Sequence, residues 1–266
     1  MGVPFPFERL RHLLIDLDGV IYRGDTPLRG AARFLAFLRE RGITVRLVTN
    51  NATLTPQQYV AKLDAMGITV DTAEIFTSAL ATGLYLREHR NGTSTALVIG
   101  ETGLRDAVTA AGLLAARDNP DWVVMGLDRH VTYEDLAAAA LAIEGGARFV
   151  GSNPDTSFPS ERGLVPGAGA LIGAVRLTTG VEPTIIGKPH PLMLELALHS
   201  LGGTVEDTAM LGDRLDTDIL AASNLHMPSI LVLTGVSTEE EVRTGSIHPD
   251  LVVPSLGALM NDWPGT

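Results

Sequence analysis

The chain has 266 residues and not one of them is cysteine. That absence excludes disulfides, thiolate nucleophiles, iron–sulfur clusters and Cys-ligated zinc, so any chemistry must use oxygen and nitrogen groups, and the cytoplasm is the expected compartment. Long apolar runs are missing too. The longest, such as Leu136 to Ile143, fall far short of the ~20 residues that span a bilayer. Met1 to Leu10 shows no basic segment followed by an apolar one, and Pro6 stands where a myristoylation signal carries Ser or Thr, so no targeting segment is expected. Without a secretion signal the Asn-x-Thr triplets at Asn51 and Asn91 carry no weight. Positive charge is outnumbered: Lys plus Arg total 20 against 31 Asp plus Glu, a net charge of −11. Such a field repels phosphate backbones and anionic lipid, which makes nucleic acid and membrane surfaces poor partners. The seven histidines include no i, i+4 pair, so a His-ligated zinc site is not expected.

What is present is a folding composition. Hydrophobic residues make up 45% and charged residues 19%, with a mean hydropathy of +0.20. Length and balance suit one large or two modest domains. Short apolar runs alternate with helical patterns along the whole chain, the pattern of βα units laid into a parallel sheet, so the fold class is α/β. Strands are expected at His12 to Asp16, Thr44 to Asn50, Ala96 to Gly100, Trp122 to Gly126, Phe149 to Ser152, Thr184 to Gly187, Ala209 to Gly212 and Ile230 to Leu233. Helices are expected at Ala31 to Arg41 and Pro56 to Met66. Polar residues cluster at strand ends near Asp16, Thr49, Lys188 and Asp213. The stretch between, residues 81–183, lacks such a cluster and reads as an inserted domain in a core formed by 1–80 and 184–266. Open parallel sheets bind ligands at the carboxyl ends of their strands, which is where these clusters fall.

Four constellations carry the chemistry. Asp16-Leu17-Asp18-Gly19-Val20 places two carboxylates on one side of an extended chain, roughly 6.6 Å apart, able to address one group. An ordinary strand running into an Asp-Gly turn explains the same residues. Thr49-Asn50-Asn51 offers uncharged donors for anionic oxygens, or a capping cluster before Pro56. Lys188, between Gly187 and Pro189, sits where the chain leaves a strand, although a lone lysine is more often a solvated charge. Asp213, Asp216 and Asp218 surround a helix start, where the helix dipole alone favours acids. They also supply oxygen ligands of the kind Mg²⁺ takes, and Asp16 with Asp213 suffices as its side-chain set.

In this order the motifs resemble the haloacid dehalogenase superfamily across nearly the full chain. The local forms Val-Thr-Asn-Asn, Gly-Lys-Pro and Gly-Asp-Arg-Leu-x-Thr-Asp, with Ser152-Asn153-Pro154-Asp155 and Phe158-Pro159, are similar to its p-nitrophenyl phosphatase-like and NagD-like branch. The resemblance implies a Rossmann-like core with a large α/β cap inserted between the second and third motifs. It implies a phosphatase of small phosphorylated metabolites in which Asp16 is the nucleophile and forms an aspartyl-phosphate. Asp18 is the acid and base, Thr49 holds phosphoryl oxygens, and Asn50 and Asn51 lie beside the substrate or support its loop. Lys188 neutralises charge, Asp218 supports from behind, and Mg²⁺ binds to Asp16, the main-chain carbonyl of Asp18 and Asp213. Neutralisation is needed because a carboxylate and a phosphate ester repel by about 4 kcal/mol per pair of unit charges at 4 Å and an effective dielectric of 20. Asp18 also argues against a dehalogenase, whose first motif lacks the second acid. Asp155 and Phe158 fall on the cap loop that faces substrate in this branch. Where its vitamin B6 phosphatases carry histidine this chain has Phe158, which turns the expectation away from pyridoxal phosphate and leaves packing in the cap core as the other role. Arg162 is a candidate for a second anionic group of the substrate, or a plain surface charge.

Gly167-Ala168-Gly169-Ala170-Leu171-Ile172-Gly173 approaches a dinucleotide fingerprint. Ser160 to Pro166 does not read as a strand, however, so a small-residue helix is expected there. The apolar helices near Leu136 to Ala142 and Gly167 to Val175 are candidates for a homodimer contact through the cap. The same residues also admit two other functions: a phosphotransferase or mutase passing the phosphoryl group to an alcohol, and a non-catalytic sensor of a phosphometabolite.

Overall fold

The structure, a computed structural model, describes residues 5–160 and 163–265. The chain divides into two compact units, one of Met1–Thr49, Gln57–Phe76 and Lys188–Thr266, the other of Asn50–Pro56 and Thr77–Gly187. Along the chain come β1 (His12–Asp16), a small antiparallel hairpin of β2 (Tyr22–Arg23) and β3 (Thr26–Pro27), α1 (Ala31–Glu40), β4 (Thr44–Thr49), α2 (Pro56–Ala65) and β5 (Ile75–Thr77). The second unit adds α3 (Ser78–His89), β6 (Ser94–Ile99), α4 (Thr102–Ala110), β7 (Leu113–Ala115), β8 (Trp122–Met125) and α5 (Tyr133–Glu144). It continues with β9 (Arg148–Gly151), β10 (Ser157–Ser160), β11 (Gly163–Pro166), α6 (Ala168–Thr179) and β12 (Thr184–Ile185). The chain then returns to the first unit through α7 (Leu192–Leu201), β13 (Thr208–Gly212), a π-helical turn at Leu215–Ile219, α8 (Leu220–Asn224), β14 (Ser229–Val232), α9 (Glu239–Thr244), β15 (Leu251–Val253) and α10 (Leu256–Asp262). Among the described residues no helix is long and apolar enough to cross a membrane.

In the first unit the strands run in the order β15-β14-β13-β1-β4-β5, and the pairings β15-β14, β14-β13, β13-β1 and β1-β4 are parallel. Their apolar character explains their burial: Leu13, Leu14 and Ile15 of β1, Ala209, Met210 and Leu211 of β13, and Ile230, Leu231 and Val232 of β14 are all fully enclosed. Strands covered on both faces read as continuous apolar runs, which is why these were legible in the sequence. On α1 the residues at i, i+3, i+4 and i+7, namely Ala31, Phe34, Leu35 and Leu38, are buried while the intervening face is not, the spacing that one stripe of a 3.6-residue helix requires. The sheet order sets β14, β13, β1 and β4 side by side, so whatever follows their carboxyl ends is brought together.

The second unit holds a sheet of order β12-β9-β8-β6-β7, again parallel. Leu97, Ile99, Val123 and Met125 from its strands pack with Ala139, Ala140 and Ile143 of α5 and Ile172 and Val175 of α6 in one core. One expectation is overturned here. Gly163–Pro166 is a strand, paired antiparallel with β10 so that Phe158 lies opposite Val165 and Pro166 opposite Ser157. A two-stranded hairpin gives proline an edge where its missing N–H costs nothing, and a four-residue segment with glycine and proline at its ends leaves no alternation to read. The glycines that follow serve close packing: a Cβ at Gly167 would lie 2.2 Å from the Asp155 carbonyl and one at Gly169 2.1 Å from that of Pro154. These glycines let the start of α6 seat against the 154–155 loop, and the strand before them is half of a hairpin, not of a parallel βαβ unit.

Candidate active site

Asp16 is the last residue of β1 and Thr49 the last of β4, while Asp213 follows β13 directly. Lys188 immediately precedes the turn into α7 and, although charged, is only 2% exposed. Its location is explained by its partners. The Nζ donates to Asp16 Oδ1 at 2.6 Å, to Asp218 Oδ1 at 2.7 Å and to the Val48 carbonyl at 3.4 Å. Asp218, on the π turn, is equally buried and its other oxygen accepts from the Arg214 amide at 3.2 Å. One buried ammonium therefore ties the end of β1 to the turn after β13.

Asp213 divides its two oxygens. Its Oδ2 accepts the Val236 amide at 2.7 Å, whereas its Oδ1 is buried with no hydrogen-bond partner among the described residues. An unpartnered buried carboxylate oxygen is costly unless something else satisfies it. Asp16, Asp213 and Asp218 each bring one oxygen into a group whose members lie within 4.8 Å of one another. Three acids facing one lysine leave uncompensated negative charge, and the donors are all oxygen, so the set fits a small hard cation such as Mg²⁺. Burial raises the Asp16 pKa well above its ordinary value; Lys188 opposes this, and Asp218 and Asp213 add to it. Burial, aided by Asp218, pushes Asp213 up to about 7 against the Val236 amide, Lys188 and Arg214. Burial alone would lower the Lys188 pKa, but Asp16 and Asp218 outweigh it and hold the ammonium above its ordinary value.

Asp18 lies outside that group of acids. It is exposed, in the turn between β1 and β2, where the Gly19 amide donates to the Tyr22 carbonyl at 2.7 Å. Protein packed around its carboxyl still raises its pKa by desolvation, opposed by Lys62, the Gly24 amide and Arg23. Thr49 is buried. Asn50, Asn51, Asp155 and Phe158 belong to the second unit. There the Asn50 amide donates to both oxygens of Asp155 at 3.3 and 3.2 Å, and its carbonyl accepts from Ser78 Oγ and, at 2.7 Å, from Asn153 Nδ2. The Asn51 side-chain oxygen accepts from the amide and hydroxyl of Thr53 at 2.9 and 2.7 Å. Phe158 is half-buried on β10, and Arg162 lies outside the described residues.

The loop after β14 carries no motif in the sequence. Val236 and Gly235 act there through main-chain atoms and the lack of a side chain, which leave no chemical signature in a sequence. The available hint was positional, a Thr-Gly pair just beyond a buried strand.

The family model described as haloacid dehalogenase-like hydrolase matches residues 13–114, and a second, described as HAD-hydrolase-like, matches 185–259. The acid sugar phosphatase of Staphylococcus saprophyticus is 42% identical over 250 residues, covering 94% of this chain and 96% of that protein. The protein of the same description from Staphylococcus aureus is 46% identical over 243 residues, covering 91% and 93%. Among solved structures, a 4-nitrophenylphosphatase from Thermotoga maritima matches with a TM-score of 0.91 and 35% identity over 97% of this chain and 98% of that one. NagD from Escherichia coli matches at 0.88 and 33% over 93% and 97%.

Proposed function

The chain belongs to the haloacid dehalogenase-like hydrolases, among relatives of the p-nitrophenyl phosphatase and NagD type, and from that premise we propose that it is a Mg²⁺-dependent phosphomonoesterase of small phosphorylated metabolites. The observation that carries this reading is the Asp16 carboxylate held by a buried lysine beside an unpartnered oxygen of Asp213. Sugar phosphates are the favoured class, because the Staphylococcus relatives are described as acid sugar phosphatases. Glycerol phosphate, phosphoglycolate and nucleotides fall within the same chemistry, with p-nitrophenyl phosphate as an artificial substrate.

In the proposed reaction an Asp16 oxygen attacks phosphorus, the bond from phosphorus to the ester oxygen breaks, and Asp18 gives its proton to the departing alkoxide. Asp18 then removes a proton from water, which attacks the aspartyl-phosphate and frees Asp16 and inorganic phosphate. Asp18 suits both steps because desolvation raises its pKa. Asp16, Asp213 and the main-chain carbonyl of Asp18 would hold Mg²⁺, which when bound would supply positive charge to offset the repulsion between nucleophile and ester. Lys188 supplies the remainder and Thr49 hydrogen-bonds phosphoryl oxygens, while Asp218 keeps Lys188 in place. We read the second unit as the part that chooses substrate, with Asn50, Asn51, Asp155 and Phe158 as contact residues. The homodimer contact is placed on the helices near Leu136 to Ala142 and Gly167 to Val175, where Leu141 is exposed, and light scattering at rising concentration reads it. The net charge of −11 and the absence of cysteine favour a cytoplasmic enzyme without nucleic-acid or membrane partners.

The test is phosphate release from p-nitrophenyl phosphate and a panel of sugar and small-metabolite phosphates, with Mg²⁺ and with chelator, for the native chain and Asp16→Asn. Release that needs Mg²⁺, needs no acceptor alcohol and is lost in Asp16→Asn is the expected result. Transfer only to an alcohol would replace hydrolysis by phosphotransfer, and Mg²⁺-dependent binding without turnover would make the chain a sensor.

A further inference from the structure

The segment Thr234-Gly235-Val236-Ser237, just beyond β14, touches both walls of the proposed metal site. On one side the Thr234 hydroxyl donates to the Gly19 carbonyl at 2.7 Å, and Arg23 donates to the Thr234 carbonyl at 2.6 Å. These bonds tie the segment to the turn that carries Asp18. On the other side the Val236 amide holds Asp213 Oδ2 at 2.7 Å, the Ser237 amide donates to the Asp213 carbonyl at 3.0 Å, and the Ser237 hydroxyl accepts from the Leu215 amide at 3.0 Å. Approach this close demands glycine. A Cβ on Gly235 would lie 1.7 Å from Asp213 Oδ2, and one on Gly19, whose φ is +85°, would lie 2.3 Å from the same atom. The Asp213 carboxylate is thus gripped between two glycines, with one oxygen engaged by the Val236 amide and the other left unpartnered.

We propose that this segment is a positioning element for the cation, in which Thr234 fixes the Asp18–Gly19 turn against the loop that orients Asp213. The inference rests on the Mg²⁺-dependent reading above. A carboxylate free to rotate offers a cation a weak, averaged site; one oxygen pinned by an amide presents the other in a fixed direction. Through Thr234 the same short segment sets the distance from that oxygen to the turn whose Asp18 carbonyl is another of the proposed ligands. Val236 and Gly235 contribute main-chain geometry, so the side chain that can be altered with least disturbance is Thr234. Groups that orient metal ligands without touching the metal typically change affinity by 10- to 100-fold when removed.

Mg²⁺ binding to the substrate-free protein, read by titration calorimetry, tests this with Thr234→Val and Thr234→Ser. Valine keeps the shape and removes the donor, whereas serine keeps the donor and loses a methyl. The expected result is roughly 10-fold weaker Mg²⁺ binding in Thr234→Val, with a lower kcat, an unchanged melting temperature of the metal-free protein, and recovery of affinity in Thr234→Ser. Wild-type Mg²⁺ affinity in Thr234→Val overturns the proposal, as does equal weakening in both variants, which assigns the effect to packing. A native chain that binds Mg²⁺ but hydrolyses no ester defeats the proposed reaction while the comparison of affinities still decides this inference. A native chain that binds no Mg²⁺ defeats both.

Discussion

Lys188 shows how one residue is made functional by its surroundings. A lone lysine beside prolines reads as a surface charge, yet here the ammonium is buried between Asp16 and Asp218 at 2.6 and 2.7 Å. In the proposed reaction its two partners have different tasks: Asp16 is the nucleophile, and Asp218, 1% exposed, holds the ammonium from the protein side. Removing the Asp218 charge leaves the Lys188 ammonium, already 2.6 Å from Asp16, to act more fully on that carboxylate, which lowers the reactivity of the proposed nucleophile. Asp218→Asn is expected to reduce turnover of p-nitrophenyl phosphate by roughly 10- to 100-fold, in steady-state assays, with the protein still folded by circular dichroism. Unchanged turnover would show that Asp218 is only a structural counter-ion. The side chains of this site were legible in the sequence because carboxylates and lysine after apolar strands are chemically conspicuous. Val236 was not, because its contribution is an amide that every non-proline residue possesses.

At the scale of elements, the buried strands were the most readable. β1 spans His12–Asp16 as expected, and α1 and α2 each end one residue before the expected limit. Three short strands, β5 (Ile75–Thr77), β7 (Leu113–Ala115) and β15 (Leu251–Val253), escaped notice because three-residue segments at the ends of sheets carry neither a long apolar run nor an alternation. The start of α5 shows an element stabilised by detail. Thr132 caps it, and Asp135 reaches back to the Thr132 amide and hydroxyl at 3.1 and 2.7 Å while Arg117 donates to its other oxygen at 2.9 Å. Hydrogen bonds from Arg117 and then Thr132 lower the Asp135 pKa from 3.8 to about 2. A depressed carboxylate stabilises above its unfolded pKa and loses that contribution as pH falls through its folded one. Asp135→Ala is expected to destabilise the protein by about 1 kcal/mol at pH 7, measured by urea unfolding. The gap to the native chain should close as pH falls from about 4 toward 2, and a gap independent of pH would show that the charge of Asp135 does not stabilise the fold.

For the whole molecule, the order of motifs along the chain carried more than any motif alone. Asp16, Thr49 and Asp213 are far apart in sequence, but parallel strands in the order β13-β1-β4 place their carboxyl ends side by side. That adjacency is a property of the topology, which a resemblance spanning the chain supplied and which composition could not. The hairpin of β10 and β11 was lost because its pairing is local and its residues are not strongly apolar.

In the proposed reaction the phosphoryl group passes through a covalent bond to Asp16. p-Nitrophenolate departs with little help from an acid, so Asp18→Asn should still form the aspartyl-phosphate but hydrolyse it slowly. Acid-quenched Asp18→Asn, mixed with p-nitrophenyl phosphate and Mg²⁺ and digested for mass spectrometry, should carry one phosphoryl group on the peptide containing Asp16. Phosphoryl transfer to another residue, or a peptide left unmodified while p-nitrophenolate is released, would contradict it.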